Sequence, residues 1–209
     1  ISNQIASSKE VIVQLNDLDI NIPVSLLKAK DILFMPEYEM GKIAEQQSSY
    51  TYRLKGDYNF KEVYKVASLS GLKGLGVAEK QIQFLTHKEK LVRYWASLGL
   101  MSQHKEVLKK YQVELSNALN DNYQPVQITI SAILYKKFSN KKASEILKNY
   151  SKSKNWPLSL MAINHMLYFK KKAVFTSTIE EIIKRPKLNG HVKSACMDFL
   201  RSEKLKNTI

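Results

Sequence analysis

A chain of 209 residues with 33 Lys or Arg against 19 Asp or Glu has a formal net charge of +14, yet 44% hydrophobic and 10% aromatic content excludes a disordered polycation. No stretch approaches the roughly 18 to 20 uninterrupted apolar residues that a membrane-spanning helix needs. The lone Cys196 excludes an internal disulfide and a cysteine-cluster metal site, and its apolar surroundings, from Val192 through Met197 and Phe199 to Leu200, fit a buried structural thiol.

The first four residues, Ile1, Ser2, Asn3 and Gln4, carry neither an initiator Met nor a basic-then-apolar export segment, and are expected to continue from a longer chain. Residues 1–55 read as a mixed lead-in. Val11, Val13 and Leu15 alternate, as do Ile20 and Ile22, which predicts two short strands or extended segments. Residues 24–34 have a helical pattern that Pro36 breaks, and residues 37–52 begin another.

From residue 56 onward the pattern is helical. Residues 57–71 predict an opening helix with Gly71 at its C-terminal side. The following Gly71, Gly74 and Gly76 resemble a phosphate-binding loop only superficially, since such a loop follows a strand. They are expected to form a turn between helices.

Thereafter the same unit recurs. Segments beginning at Val92, Val126, Leu158 and Val192 share an apolar pattern, with start-to-start spacings of 34, 32 and 34, a period typical of helical repeat arrays. Each is preceded by a short amphipathic run, at 80–85, 113–119, 143–148 and 178–183, with apolar residues three to four apart. Pro125 and Pro157 stand at the first turn of the second helix, where the missing N–H costs nothing. The small residues Ala96, Ala132, Ala162 and Ala195 are expected where neighbouring helices approach closely. One such pair cannot bury its own apolar face, so the core must come from stacking. The expected fold is all-α: an α-α superhelix, a HEAT-like solenoid of about four to five helical pairs over residues 56–209, behind a short irregular or β-containing N-terminal segment.

The sequence His87-Lys88-Glu89-Lys90-Leu91-Val92-Arg93-Tyr94-Trp95-Ala96-Ser97-Leu98-Gly99-Leu100 resembles the D-x-x-V-R-Y-W-A-x-x-G-L repeat in the HEAT-like C-terminal extensions of bacterial sulfatases of the alkaline phosphatase superfamily. Met35-Pro36-Glu37-Tyr38-Glu39-Met40 resembles the LPE-x-E-M segment leading into that extension, and the run from Trp156 to Leu167 resembles its W-V-R-L-x-A-L-N-A-L repeat. Glu89 replaces the family's Asp, and Ile130-Ser131 replaces Ala-Ala. The catalytic signature Cys/Ser-x-Pro-x-Arg is absent. The resemblance therefore implies a non-catalytic region, with calcium and formylglycine belonging to a parent sulfatase core and no cofactor in this segment. It further implies that core as a partner, a periplasmic or secreted location, and sulfate-ester hydrolysis as the parent reaction.

Charge is distributed unevenly. From Lys136 to the end there are 17 Lys or Arg against 5 Asp or Glu, while the part of the chain before Lys136 holds 16 against 14. Lys136 with Lys137, Lys141 with Lys142, and the run Lys170, Lys171, Lys172 fall at equivalent places in successive units, so stacking predicts a basic stripe. Two readings stand open: a polyanion-binding edge, with a sulfated polysaccharide as the ligand the resemblance suggests, or ordinary solvated turns. A nucleic-acid-binding repeat protein is the alternative, disfavoured because the inner helices are apolar rather than basic. A protein-interaction scaffold is the third reading. His87, His104, His165 and His191 lack metal-ligand spacing and are expected in surface or packing roles, with Asn164 and His165 placed for hydrogen bonds across units. Arg93, Tyr94 and Trp95 form either a ligand-facing cluster or, as favoured here, a structural set in which Arg93 pairs with an acidic turn residue.

Overall fold

The computed structural model describes residues 60–206, with side chains for residues 61–203; the lead-in 1–55 and its expected strands lie outside the described residues. The described residues are all-helical. In order, they form α1 (Phe60–Ala67), α2 (Leu75–Phe84), α3 (Lys90–Met101), α4 (Lys105–Lys109), α5 (Gln112–Asn117), α6 (Gln124–Phe138), α7 (Lys141–Ser151), α8 (Trp156–Leu167), α9 (Thr176–Ile183) and α10 (Gly190–Lys206). Single 3₁₀ turns at Ala118–Asn120 and Ala173–Phe175 precede α6 and α9.

The boundaries follow from local chemistry. Ser139 ends α6 in the left-handed conformation at φ 54°, and the next residue, Asn140, starts α7 by accepting a hydrogen bond from the Ala143 N–H at 2.9 Å. Pro125 and Pro157 are the second residues of α6 and α8, as their spacing predicts. Gly71 and Gly74, at φ 86° and 121°, shape the turn between α1 and α2.

The helices beginning at Lys90, Gln124, Trp156 and Gly190 start at the same intervals as the repeating sequence pattern. Helices α3 and α6 pack together, then α6 and α8, then α8 and α10, while α2, α7 and α9 each pack on the long helix that follows. The long helices run in the same direction. At their N-terminal ends, Trp156 of α8 stacks on His191 of α10, with ring centroids 5.7 Å apart. At their C-terminal ends, Lys137 of α6 donates to the Gln103 carbonyl just beyond α3 at 2.8 Å.

Val92, Val126, Leu158 and Val192 are all buried. One helical turn further on, Ala96, Ile130, Ala162 and Cys196 are all fully buried, so this is the equivalent inner position of each unit. Ala132 and Ala195 are also buried, but the first lies beyond that position and the second just before it. The small-residue alignment is thus offset in those two units, because Ile130 and Cys196 fill the contact instead.

Helix α6 joins the two halves of the packing. Val126, Ile130, Ile133 and Leu134 belong to the apolar cluster formed with α3, whereas Ile128 and Ala132 belong to that formed with α8 and α10. A helix apolar all round must be covered on both sides. Each buried Val, Ile or Leu among them contributes about 1.5–3 kcal/mol.

Candidate functional site

At the N-terminal edge of the long helices, one polar residue on each of α3, α6 and α8 ties the turns together. Arg93 on α3 uses every donor of its guanidinium. Nε and Nη2 grip Asp121 Oδ2 and Oδ1 at 2.7 and 2.9 Å, Nη2 also reaches Asn122 Oδ1 at 2.7 Å, and Nη1 donates to the His87 and Lys88 carbonyls at 2.8 and 3.1 Å. Gln127, at the equivalent place on α6, donates to the Asp121 carbonyl and accepts from Tyr150 Oη at 2.6 Å. Ser159 on α8 donates to the Ser151 carbonyl at 2.6 Å. Arg93 is buried and saturated, so it has no donor left for a ligand, and half-buried Trp95 packs against the first apolar cluster.

The lysines gather at the opposite edge, around the C-terminal end of α6. Lys136, Lys141, Lys142, Lys170 and Lys171 are exposed. Tyr135 Oη donates to the Lys171 carbonyl, which pins the turn carrying Lys170 and Lys171 beside the end of α6. Two of the seven face elsewhere. Lys137 is half-buried, and desolvation, then Lys136 and Lys73, lower its pKa. Lys172 is only 3% exposed: its ammonium donates to the Leu167 carbonyl and to Ser202, and lies 5.3 Å from the Phe199 ring centre. Its alkyl stem and charge are absorbed by the packing, so the basic surface is a group of five.

A second feature, not visible as a motif, is a cleft of about 440 Å³ between the α7–α8 and α9–α10 turns. Lys154, Trp156, Arg185, Lys187 and Asn189 are among its lining residues. Sequence reading placed Trp156 only as a repeat anchor. The residues that join it come from a turn some thirty positions later, and no local pattern links the two.

The histidines and the cysteine have packing or local roles. His165 is half-buried, and desolvation, followed by the nearby charge of Lys136, pushes its pKa down to about 4, so the ring is neutral at neutral pH. Neither His165 nor Asn164 makes a side-chain hydrogen bond across units among the described residues. His191 is the stacking partner of Trp156, and the His87 Nδ1 accepts from the Glu89 N–H at 3.1 Å. Cys196 is fully buried, and burial pushes its thiol up to about 11 against the opposing influence of Arg185. Among the described residues, no group of three or more His, Cys, Asp or Glu is placed to hold a metal ion. No helix among the described residues is long and apolar enough to cross a membrane.

No protein-family model, curated protein or solved structure matches this chain.

Proposed function

We propose that this region is a non-catalytic HEAT-like α-α superhelix of four helical pairs behind α1, serving as the C-terminal part of a sulfatase-family protein. In this role it packs on the catalytic core in the periplasm or outside the cell, while the parent performs sulfate-ester hydrolysis with its own calcium and formylglycine. Its exposed lysine group, Lys136, Lys141, Lys142, Lys170 and Lys171, holds a sulfated polysaccharide near that core.

The observation that carries the scaffold reading is the register. Helices starting at Lys90, Gln124, Trp156 and Gly190 repeat the same buried positions, and the turns are cross-tied by Arg93, Gln127 and Ser159. These polar bonds hold turns together, as an array of stacked helix pairs requires. The sulfatase assignment is supported by the segment from His87 to Leu100 and by the charge of the later units.

Two measurements test it. Mass and sequence analysis of the natural product is expected to find a Cys/Ser-x-Pro-x-Arg segment N-terminal to Ile1; its absence overturns the sulfatase reading. Calorimetry with a long sulfated polysaccharide at several salt concentrations is expected to show affinity that falls with salt and drops when the five lysines become Gln. Equal or tighter binding of duplex DNA at matched salt would transfer the lysine edge to nucleic acid.

A further inference from the structure

The geometry points to the cleft between the α7–α8 and α9–α10 turns as a binding subsite for one acidic sugar ring. The ring lies on Trp156, with its sulfate or carboxylate group against Lys154, Arg185 and Lys187.

The size fits a small ligand, since about 440 Å³ falls within the range of ordinary small-molecule pockets. The lining is cationic, and none of its side chains is acidic. A smaller hollow of about 240 Å³ earlier in the chain is lined by Glu114 and Asp121 with no cation. Positive lining is therefore not shared by the two hollows and does not follow from the repeat geometry.

Trp156 remains 37% exposed although it opens a well-packed helix. Its ring stacks on His191, at 29° between planes, and lines the cleft. A fixed aromatic surface costs little entropy on binding, and its apolar face suits the C–H face of a pyranose. Lining residues Ser153 and Asn189 supply polar atoms for hydroxyl groups.

The cations are positioned rather than merely numerous. Arg185 Nη1 donates to the Lys152 carbonyl at 2.8 Å, which fixes the guanidinium at the cleft wall. The Glu181 carboxylate sits 3.8 Å from Arg185 and is already hydrogen-bonded by Lys152, the main cause of that carboxyl's lowered pKa. Lys187, which lines the cleft, adopts φ 57°, a left-handed conformation that favours glycine. The start of α8 adds to the field, because Asn155 makes no side-chain cap there. By contrast, Asn189 Oδ1 caps α10, accepting from the His191 N–H at 2.9 Å.

A single aromatic in a bounded cleft suits one ring. Single-stranded nucleic acid needs successive stacking surfaces, and a duplex needs a row of phosphate contacts. The glycan identity of the ligand rests on the proposed function. The site itself does not, because it lies at the N-terminal edge of the long helices, away from the lysine group.

The test is calorimetry of the full chain with a heparin-derived tetrasaccharide, its desulfated counterpart, inorganic sulfate and a short single-stranded DNA. Three variants are compared: Trp156→Ala, Lys187→Gly, and a lysine-edge variant with Lys136, Lys142 and Lys171 changed to Gln. Lys187→Gly removes the cation while relaxing the backbone, so it keeps the fold even if Trp156→Ala does not. The expected result is a loss of about tenfold in affinity in each cleft variant and on desulfation, with the lysine-edge variant close to wild type. Unchanged affinity in Lys187→Gly overturns the inference. So does binding of inorganic sulfate or DNA as tight as that of the tetrasaccharide. If only the lysine-edge variant loses affinity, the cleft fails while the lysine-edge reading stands; if the tetrasaccharide does not bind the wild type, the cleft fails and the polysaccharide titration decides the lysine edge.

Discussion

Arg93 and Asp121 form a two-point ion pair in which Nε and Nη2 meet the two carboxylate oxygens at 2.7 and 2.9 Å, with side-chain exposures of 11% and 6%. The pair joins the start of α3 to the turn before α6, and Asp121 also accepts from the Tyr123 N–H at 2.8 Å. It acts as a clamp between successive units. Removing one member strands a buried charge, so Arg93→Ala is expected to cost about 3–5 kcal/mol. Arg93→Lys recovers only part, because an ammonium cannot reproduce the planar fork. Urea melts of the two variants check this, and a loss within wild-type error for Arg93→Ala contradicts the clamp.

Gly99 is required by contact rather than by backbone conformation. A Cβ there would stand 2.4 Å from Gln81 Nε2. Gln81 cannot swing away freely: Nε2 donates to the Leu69 carbonyl at 2.9 Å, and Oε1 accepts from Gln103 Nε2 at 2.9 Å. Gly99→Ala is expected to cost about 1–3 kcal/mol. In a double-mutant cycle, adding Gln81→Ala should make the second substitution cheaper than it is alone. Strict additivity in thermal melts would argue against this contact.

His165 makes stability depend on pH. Its folded pKa of about 4 lies below the ordinary 6.5, so between these values the unfolded chain binds more protons than the folded one. Stability therefore holds above pH 6.5 and falls as the pH drops towards 4, by about 2 kcal/mol once residual solvent contact is allowed for. His165→Gln should flatten that part of the profile. Proton NMR of the imidazole should give a midpoint near 4 in the native state, and a midpoint near 6.5 would refute the assignment.

The Cys196 thiol is expected to be inert in the native state. Buried among apolar groups and raised to about 11, it offers almost no thiolate at pH 7. A thiol reagent should modify one site promptly in denaturant and react in buffer only as fast as the chain opens. Rapid native modification would place Cys196 at an accessible surface.

Neighbouring lysines should behave oppositely. Lys172→Ala breaks contacts to the Leu167 carbonyl, Ser202 and the Phe199 ring, and should lose about 1–3 kcal/mol of stability. Lys171→Ala, at an exposed position, should change stability by less than about 0.5 kcal/mol. Paired melts and titrations with a long sulfated polysaccharide separate the two roles, with affinity for that polymer expected to fall in Lys171→Ala and not in Lys172→Ala.

Sequence by itself determined the helical class, the 34, 32, 34 register and the placement of Pro125 and Pro157, because these are local matters of periodicity and backbone chemistry. It also indicated that Arg93 seeks an acidic turn, since a charge inside an apolar run needs a partner. Tertiary structure alone decided which carboxylate that is, that Ile130 and Cys196 rather than Ala132 and Ala195 take the inner position, and that Lys172 turns inward while Lys171 does not. It alone brought Trp156 to Lys187 across two turns. The physical reason is separation along the chain. Periodicity reports on residues within a few turns, whereas side-chain partners some thirty positions apart are chosen by how successive helix pairs stack.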